Sequence, residues 1–219
     1  MKKAIVLLAE GFEEGESLLT IDILRRAGIS CVSSSIKDRE VKGCNGISAI
    51  ADTLFQNINL DEYDMLILPG GMPGAQNLAE DHHVIEAVQK YMNENKYVAA
   101  ICAAPMILKK AGVSHGRILT SYPANKYRSM FLDSNYIDDE IVVKDGNLIT
   151  SRGPATVFPF AYALAEALDG DVETIKERML YNKLVESYRK IIYEICKTTC
   201  CIIIFFCFHE KRFYEWSNC

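Results

Sequence analysis

Cys102 closes the apolar run Val98-Ala99-Ala100-Ile101 and is followed by Ala103-Ala104-Pro105, so alanine stands two residues before and two after the thiol. This small-x-nucleophile-x-small spacing suits a sharp strand-to-helix turn, where close backbone packing excludes bulky neighbours and the nucleophile projects at the sheet's edge. Pro105 fits the first helical turn, where its missing N–H is not needed. A thiol at a helix N-terminus faces unpaired N–H groups and the positive end of the macrodipole, which predicts a favoured thiolate, nucleophilic or redox-active near neutral pH. The alternative for a lone cysteine is packing as a small buried hydrophobe.

Two further loops carry groups that such a thiol could use. Gly11-Phe12-Glu13-Glu14-Gly15-Glu16 follows one apolar run, and Pro69-Gly70-Gly71-Met72-Pro73-Gly74 follows another. A carboxyl buried beside a sulfur anion has its pKa raised and keeps its proton; Glu16, just inside the expected helix, is the candidate. Glu13 and Glu14 read as solvated first-turn acids, a reading that spacing does not exclude for Glu16 either. Gly70 and Gly71 leave backbone N–H groups unshielded, as an oxyanion requires, or simply make a turn. Dinucleotide and Walker fingerprints are missing, so no nucleotide cofactor is implied. The four histidines, His82, His83, His115 and His209, show no zinc spacing, and His82 and His83 read as a solvated helix start. The expectation is therefore no metal and no cofactor.

These groups must be held by alternating elements. Strand-like runs over Ala4 to Ala9, Cys31 to Ser35, Met65 to Leu68, Tyr97 to Ile101 and Ile118 to Thr120 alternate with helical patterns over Leu18 to Ala27, Val84 to Asn93 and Met106 to Ala111. Such alternation predicts an α/β fold with a mostly parallel sheet covered on both faces. Ile141-Val142-Val143 and Leu148-Ile149-Thr150 flank Asp145-Gly146-Asn147, which predicts a hairpin. Helices are expected from about Ala155 to Leu168 and from about Val172 to Lys197. In open sheets of this kind, sites lie beyond the carboxyl ends of the strands, where Cys102 and both loops fall.

The 219 residues, 49% hydrophobic and 24% charged, can bury one domain-sized core. A net charge of -5 with scattered basic residues argues against nucleic acid. The apolar run after Met1-Lys2-Lys3 stops at Glu10 and reads as a buried strand rather than a leader, and no stretch reaches the ~20 apolar residues of a transmembrane segment. The expectation is a cytoplasmic protein in which Cys31, Cys44 and Cys102 are free thiols. The other five cysteines crowd a tail reading CCIIIFFCF from Cys200 to Phe208, and with His209 they match no finger or ribbon spacing.

Four segments together resemble the ThiJ/PfpI superfamily, in the branch of the parkinsonism-associated deglycase: Ala9 to Glu16; Leu68 to Gly71 with Gly74 to Leu78; Ala99 to Ala103; and Thr150-Ser151-Arg152-Gly153-Pro154. The resemblance covers residues 1–185 as one domain and leaves 186–219 as a helical extension with an atypical cysteine-rich tail. It implies a flavodoxin-like three-layer sandwich, akin to class I glutamine amidotransferases, in a homodimer. Cys102 matches the reactive cysteine and Glu16 the protonated glutamate beside it. Gly71 and Ala103 match donors of oxyanion-binding N–H groups, and Gly70, Tyr122, Arg152 and Pro154 are further candidates for the substrate site.

The activity it implies is cofactor-independent conversion of small 2-oxoaldehydes, methylglyoxal to lactate in the manner of glyoxalase III, or removal of early glycation adducts from proteins. The alternative is a peroxide-responsive redox sensor or chaperone acting through Cys102. Where animal members carry Thr-His-Pro this chain has Ser121-Tyr122-Pro123, so Tyr122 replaces a histidine as a possible hydrogen-bond donor. Ala103 stands where protease-like members carry histidine, and the His-x-Glu of glutamine amidotransferases is absent, which argues against both activities.

Overall fold

The computed structural model describes the backbone of residues 1–207 and the side chains of residues 1–195. Strand β1 (Lys3–Leu8) is apolar almost throughout because both of its faces are covered. Alternate residues leave in opposite directions. Ile5 and Leu7 join one core cluster with Val84, Val88, Tyr91 and Ile107, whereas Ala4, Val6 and Leu8 join another with Ile21, Leu24, Phe160 and Leu164. One sheet thus separates two helical layers.

The chain continues through α1 (Glu14–Arg26), β2 (Ser30–Ser35), the antiparallel pair β3 (Glu40–Lys42) and β4 (Ser48–Ile50), and the short β5 (Thr53–Leu54). Then follow β6 (Met65–Leu68), α2 (Gly74–Glu80), α3 (His82–Asn93), β7 (Tyr97–Ile101), α4 (Pro105–Lys110), β8 (Ile118–Leu119), α5 (Asn125–Arg128), β9 (Asn135–Tyr136), β10 (Val142–Asp145), β11 (Leu148–Ser151) and α6 (Val157–Ala167). The main sheet runs β10-β11-β7-β6-β1-β2-β5, with every pairing parallel except that of β10 with β11. This is the expected flavodoxin-like arrangement. β1 is followed by β2 on one side, while β6 lies on the other, so strand order reverses between β1 and β6. A cleft opens at such a reversal, and the loops after β1, β6 and β7 converge there.

Several elements depart from the sequence expectation. The predicted strand Ile118 to Thr120 is shorter and pairs with β9 instead of joining the main sheet. Its neighbouring N–H groups are taken by side chains: Ile118 N donates to Asp145 Oδ2 at 3.0 Å and Thr120 N to Thr150 Oγ1 at 2.9 Å. α1 starts at Glu14, four residues early, because Glu13 caps it. α2 and the β3–β4 pair were not predicted. A 3₁₀ turn over Pro154–Thr156 precedes α6.

Contacts divide the chain into two compact units, Met1–Val172 and Glu173–Cys219. The helical stretch expected from Val172 to Lys197 is two helices, α7 (Val172–Arg178) and α8 (Tyr181–Cys207), interrupted where Leu180 takes φ 59°. The side chains of Cys196, Cys200, Cys201 and Cys207, and all of His209 and Cys219, lie outside the described residues. No helix among the described residues is long and apolar enough to cross a membrane.

Candidate active site

Cys102 sits between β7 and α4 with φ 63°, a left-handed conformation that a non-glycine residue adopts at some energetic cost. Its backbone is fixed from both sides: the N–H donates to Ser151 O at 3.0 Å, and the carbonyl accepts from Tyr122 N at 2.8 Å. The end of β11 and the segment after β8 thereby hold the turn. Ala103 and Ala104 are buried, as the tight packing of an elbow requires, and Pro105 opens α4. The thiol itself is half-buried.

Glu16 reaches this turn from the first turn of α1 and is only 1% exposed. Its Oε2 accepts the N–H of Gly70 at 2.8 Å. Oε1 is buried without a hydrogen-bond partner among the described residues, an arrangement that a neutral carboxyl tolerates better than a carboxylate. Burial, partly opposed by the Gly70 N–H and reinforced by the charge of Glu13, pushes the Glu16 pKa up to about 7. Glu13 also caps α1: its Oε2 accepts the Glu16 N–H at 2.5 Å. Glutamate is not a usual N-cap residue, so this cap had no local signature.

Gly70 is required by geometry. A Cβ there would lie 2.7 Å from both Cys102 Cβ and Glu16 Oε2, closer than real side chains approach. Gly71 has φ 88°, and a Cβ on it would collide with the backbone of Gly11 to Glu13. The two glycines let the loop after β6 slide between the loops after β1 and β7.

The thiol does not behave as the helix dipole alone predicts. Burial, the nearby Glu16 charge and the interaction with that carboxyl push the Cys102 pKa well up, against a downward pull from the N–H groups of Ala103 and Gly71. α4 has only six residues, too few to outweigh burial. A neutral Glu16 carboxyl removes the repelling charge and leaves the two N–H groups facing the sulfur.

The remaining residues fall at different distances from this pair. Tyr122 is tied to Cys102 through its backbone, its ring packs edge-on to Tyr127 at 6.2 Å and flanks Gly153, and its hydroxyl makes no hydrogen bond to the sulfur. The Arg152 guanidinium engages Asp138, and the Arg152 backbone N–H donates to Thr156 Oγ1 at 3.3 Å, so neither reaches the pair. Pro154 opens the 3₁₀ turn before α6. Glu14, expected in solvent, is buried instead. Its carboxylate takes N–H groups from Asn45 at 2.8 Å and Ile47 at 3.2 Å, and although burial pushes its pKa up, hydrogen bonds hold it below the ordinary value. The other cysteines of the main unit, Cys31 and Cys44, are free thiols; burial pushes Cys31 up to about 12.

Residues 2–167 match the DJ-1/PfpI family. Protein dj-1beta of Drosophila melanogaster is 41% identical over 170 residues, 77% of this chain and 90% of the relative. The chain belongs to the DJ-1/PfpI family. The resemblance carried by the four sequence segments is thereby borne out. The crystal structure of Drosophila melanogaster DJ-1beta matches with a TM-score of 0.78 at 39% identity, over 82% of this chain and 97% of that one. Two relatives bear names that state an activity. A deglycase of Pyrococcus abyssi is 34% identical over 156 residues, 71% of this chain and 93% of its own length. A glutathione-independent glyoxalase of Caenorhabditis elegans is 32% identical over 174 residues, 79% of this chain and 92% of its own.

Proposed function

We propose that this protein converts small 2-oxoaldehydes to 2-hydroxy acids, and releases early glycation adducts by the same chemistry, using Cys102 and Glu16 without a cofactor. The observation that carries this reading is the half-buried thiol set against a buried carboxyl whose pKa lies at about 7, where it both gives and takes a proton near neutrality. The names of the deglycase and glyoxalase relatives support it.

With the proton on Glu16, the Cys102 thiolate attacks the aldehyde carbon, and the carbonyl π pair moves to oxygen. The N–H groups of Gly71 and Ala103, which face the sulfur, receive the developing charge, and Glu16 protonates that oxygen to give a hemithioacetal. Now a carboxylate, Glu16 removes the hydrogen on the same carbon as a proton, giving an enediolate, and returns that proton to the neighbouring carbon while the proton of the hemithioacetal hydroxyl passes to the neighbouring oxygen. The product is a thioester of the 2-hydroxy acid, an isomer of the hemithioacetal. Water adds to the thioester carbon, the C–S bond breaks, and the acid leaves with the thiol restored. A glycated amine enters as its hemiaminal: the Cys102 sulfur bonds the hemiaminal carbon as the C–N bond breaks, and Glu16 gives its proton to the departing amine, leaving the same hemithioacetal. We take the working unit to be a cytoplasmic homodimer, with the domain spanning 1–185.

The same pair favours a second reading through the partly exposed sulfur. The thiolate attacks a peroxide oxygen, the O–O bond breaks, hydroxide leaves, and Cys102 becomes a sulfenic acid that Glu16 stabilises by hydrogen bonding. Saturable consumption of methylglyoxal by the purified chain, without glutathione, supports the enzyme. Negligible turnover together with peroxide-gated partner binding overturns it in favour of the sensor.

A further inference from the structure

A group of side chains apart from the Cys102–Glu16 pair has the composition of a metal chelate. Asp81 caps α3, and His82 and His83 begin it, at the rim of a cleft of about 830 Å³ that Ile58, Leu60, Glu86 and Lys90 also line. One carboxylate oxygen and one nitrogen from each imidazole lie within 4.8 Å of one another. The two rings lie close together but tilted, with centroids 3.8 Å apart and planes at 37°. Asp81 is held in place: its Oδ1 accepts N–H groups from His83 at 2.9 Å and Val84 at 3.4 Å, while Oδ2 makes no hydrogen bond among the described residues.

We propose that Asp81, His82 and His83 bind a divalent transition-metal ion of the zinc, nickel or copper class, with water in the remaining positions. Two imidazoles and one carboxylate form a donor set suited to these ions rather than to calcium or magnesium. Bonds of ~2.0–2.1 Å put the donors of a tetrahedral ion about 3.4 Å apart, so a group now within 4.8 Å must close by up to about 1.4 Å. The rings have that freedom, because His82 and His83 are exposed and the His83 side chain is 68% accessible.

The positive end of α3 opposes a cation, and the charge of Asp81 with Glu80 and Glu86 beside the same cleft offsets it. Of the cleft's cations, Lys90 is already paired with Asp61 at 2.7 Å and Glu94 at 2.6 Å, and Lys37 lines the opposite segment. Three protein ligands leave an open position toward the cleft, which makes the ion exchangeable rather than structural. The motif escaped the sequence reading because adjacent histidines match no familiar ligand spacing and the third donor is the helix cap.

The test is a Zn²⁺ titration of the full chain against a chromophoric chelator, beside His82→Ala and Asp81→Asn. Asparagine caps a helix as well as aspartate, so Asp81→Asn keeps α3 and removes only the charged ligand. The parent should hold about one equivalent more than His82→Ala at matched free Zn²⁺, and Asp81→Asn should bind that equivalent at least tenfold more weakly, with helical circular dichroism unchanged in both. Equal stoichiometry in the parent and His82→Ala, or unchanged affinity in Asp81→Asn, overturns the site.

Discussion

The N–H of Gly70 lies 2.8 Å from Glu16 Oε2, and a methyl group on Gly70 would sit 2.7 Å from both that oxygen and Cys102 Cβ. One backbone position therefore sets the spacing of the acid and the thiol. Gly70→Ala is predicted to separate them, lowering kcat/KM for methylglyoxal at least tenfold while destabilising the fold by about 1–3 kcal/mol, as overpacking does. Steady-state kinetics with urea denaturation checks both, and a fully active alanine variant contradicts the packing argument.

Glu13 contributes charge as well as a cap. Its carboxylate helps raise the Glu16 pKa, and Glu13→Gln retains an acceptor for the Glu16 N–H while removing that charge. The Glu16 pKa of about 7 predicts an inflection of kcat/KM near pH 7 in the parent, which should move to lower pH in Glu13→Gln. An inflection that stays in place or moves upward assigns it to another group.

The Glu16 proton also links stability to pH. The folded protein holds it up to about pH 7, whereas the ordinary glutamate value is 4.5. Its stabilising contribution is therefore complete below about pH 4.5 and is lost as pH rises through about 7. The total is up to about 3 kcal/mol. Unfolding free energies at pH 4.5 and 7.5 should fall by that much more in the parent than in Glu16→Gln, which has no proton to lose. Parallel pH profiles for the two chains contradict the buried-acid assignment.

Glu14 has a structural task. Its buried carboxylate collects the N–H groups of Asn45 and Ile47 and the side-chain amide of Asn45 at the turn joining β3 to β4. Glu14→Ala leaves those donors without their acceptor and should cost about 1–3 kcal/mol, read as a lowered midpoint in thermal unfolding. A midpoint unchanged within error shows that water replaces the carboxylate freely.

Much of this was visible in the residues. β1, β6 and β7 are short apolar runs ending in distinctive loops, and their alternation with helical patterns fixed both the parallel sheet and the side of it on which Cys102 lies. The elbow was legible because Ala100 and Ala104 flank Cys102 at the spacing that tight packing imposes. The thiol's titration was not legible, since it depends on how deeply the loop after β7 is buried and on a carboxyl 86 positions earlier in the chain. Glu14 was misread for a related reason: a carboxylate in a first turn has the same local signature whether solvent or a distant hairpin supplies its donors. Nor could local patterning foresee that side chains of Asp145 and Thr150 occupy the N–H groups around β8.

The most direct test of the Cys102–Glu16 pair is lactate formation from methylglyoxal by the purified chain, measured beside Cys102→Ser and Glu16→Gln without added glutathione. Lactate made by the parent, abolished in Cys102→Ser and reduced about 10²–10⁴-fold in Glu16→Gln is the predicted result. No lactate from the folded parent, or equal rates in all three, contradicts it.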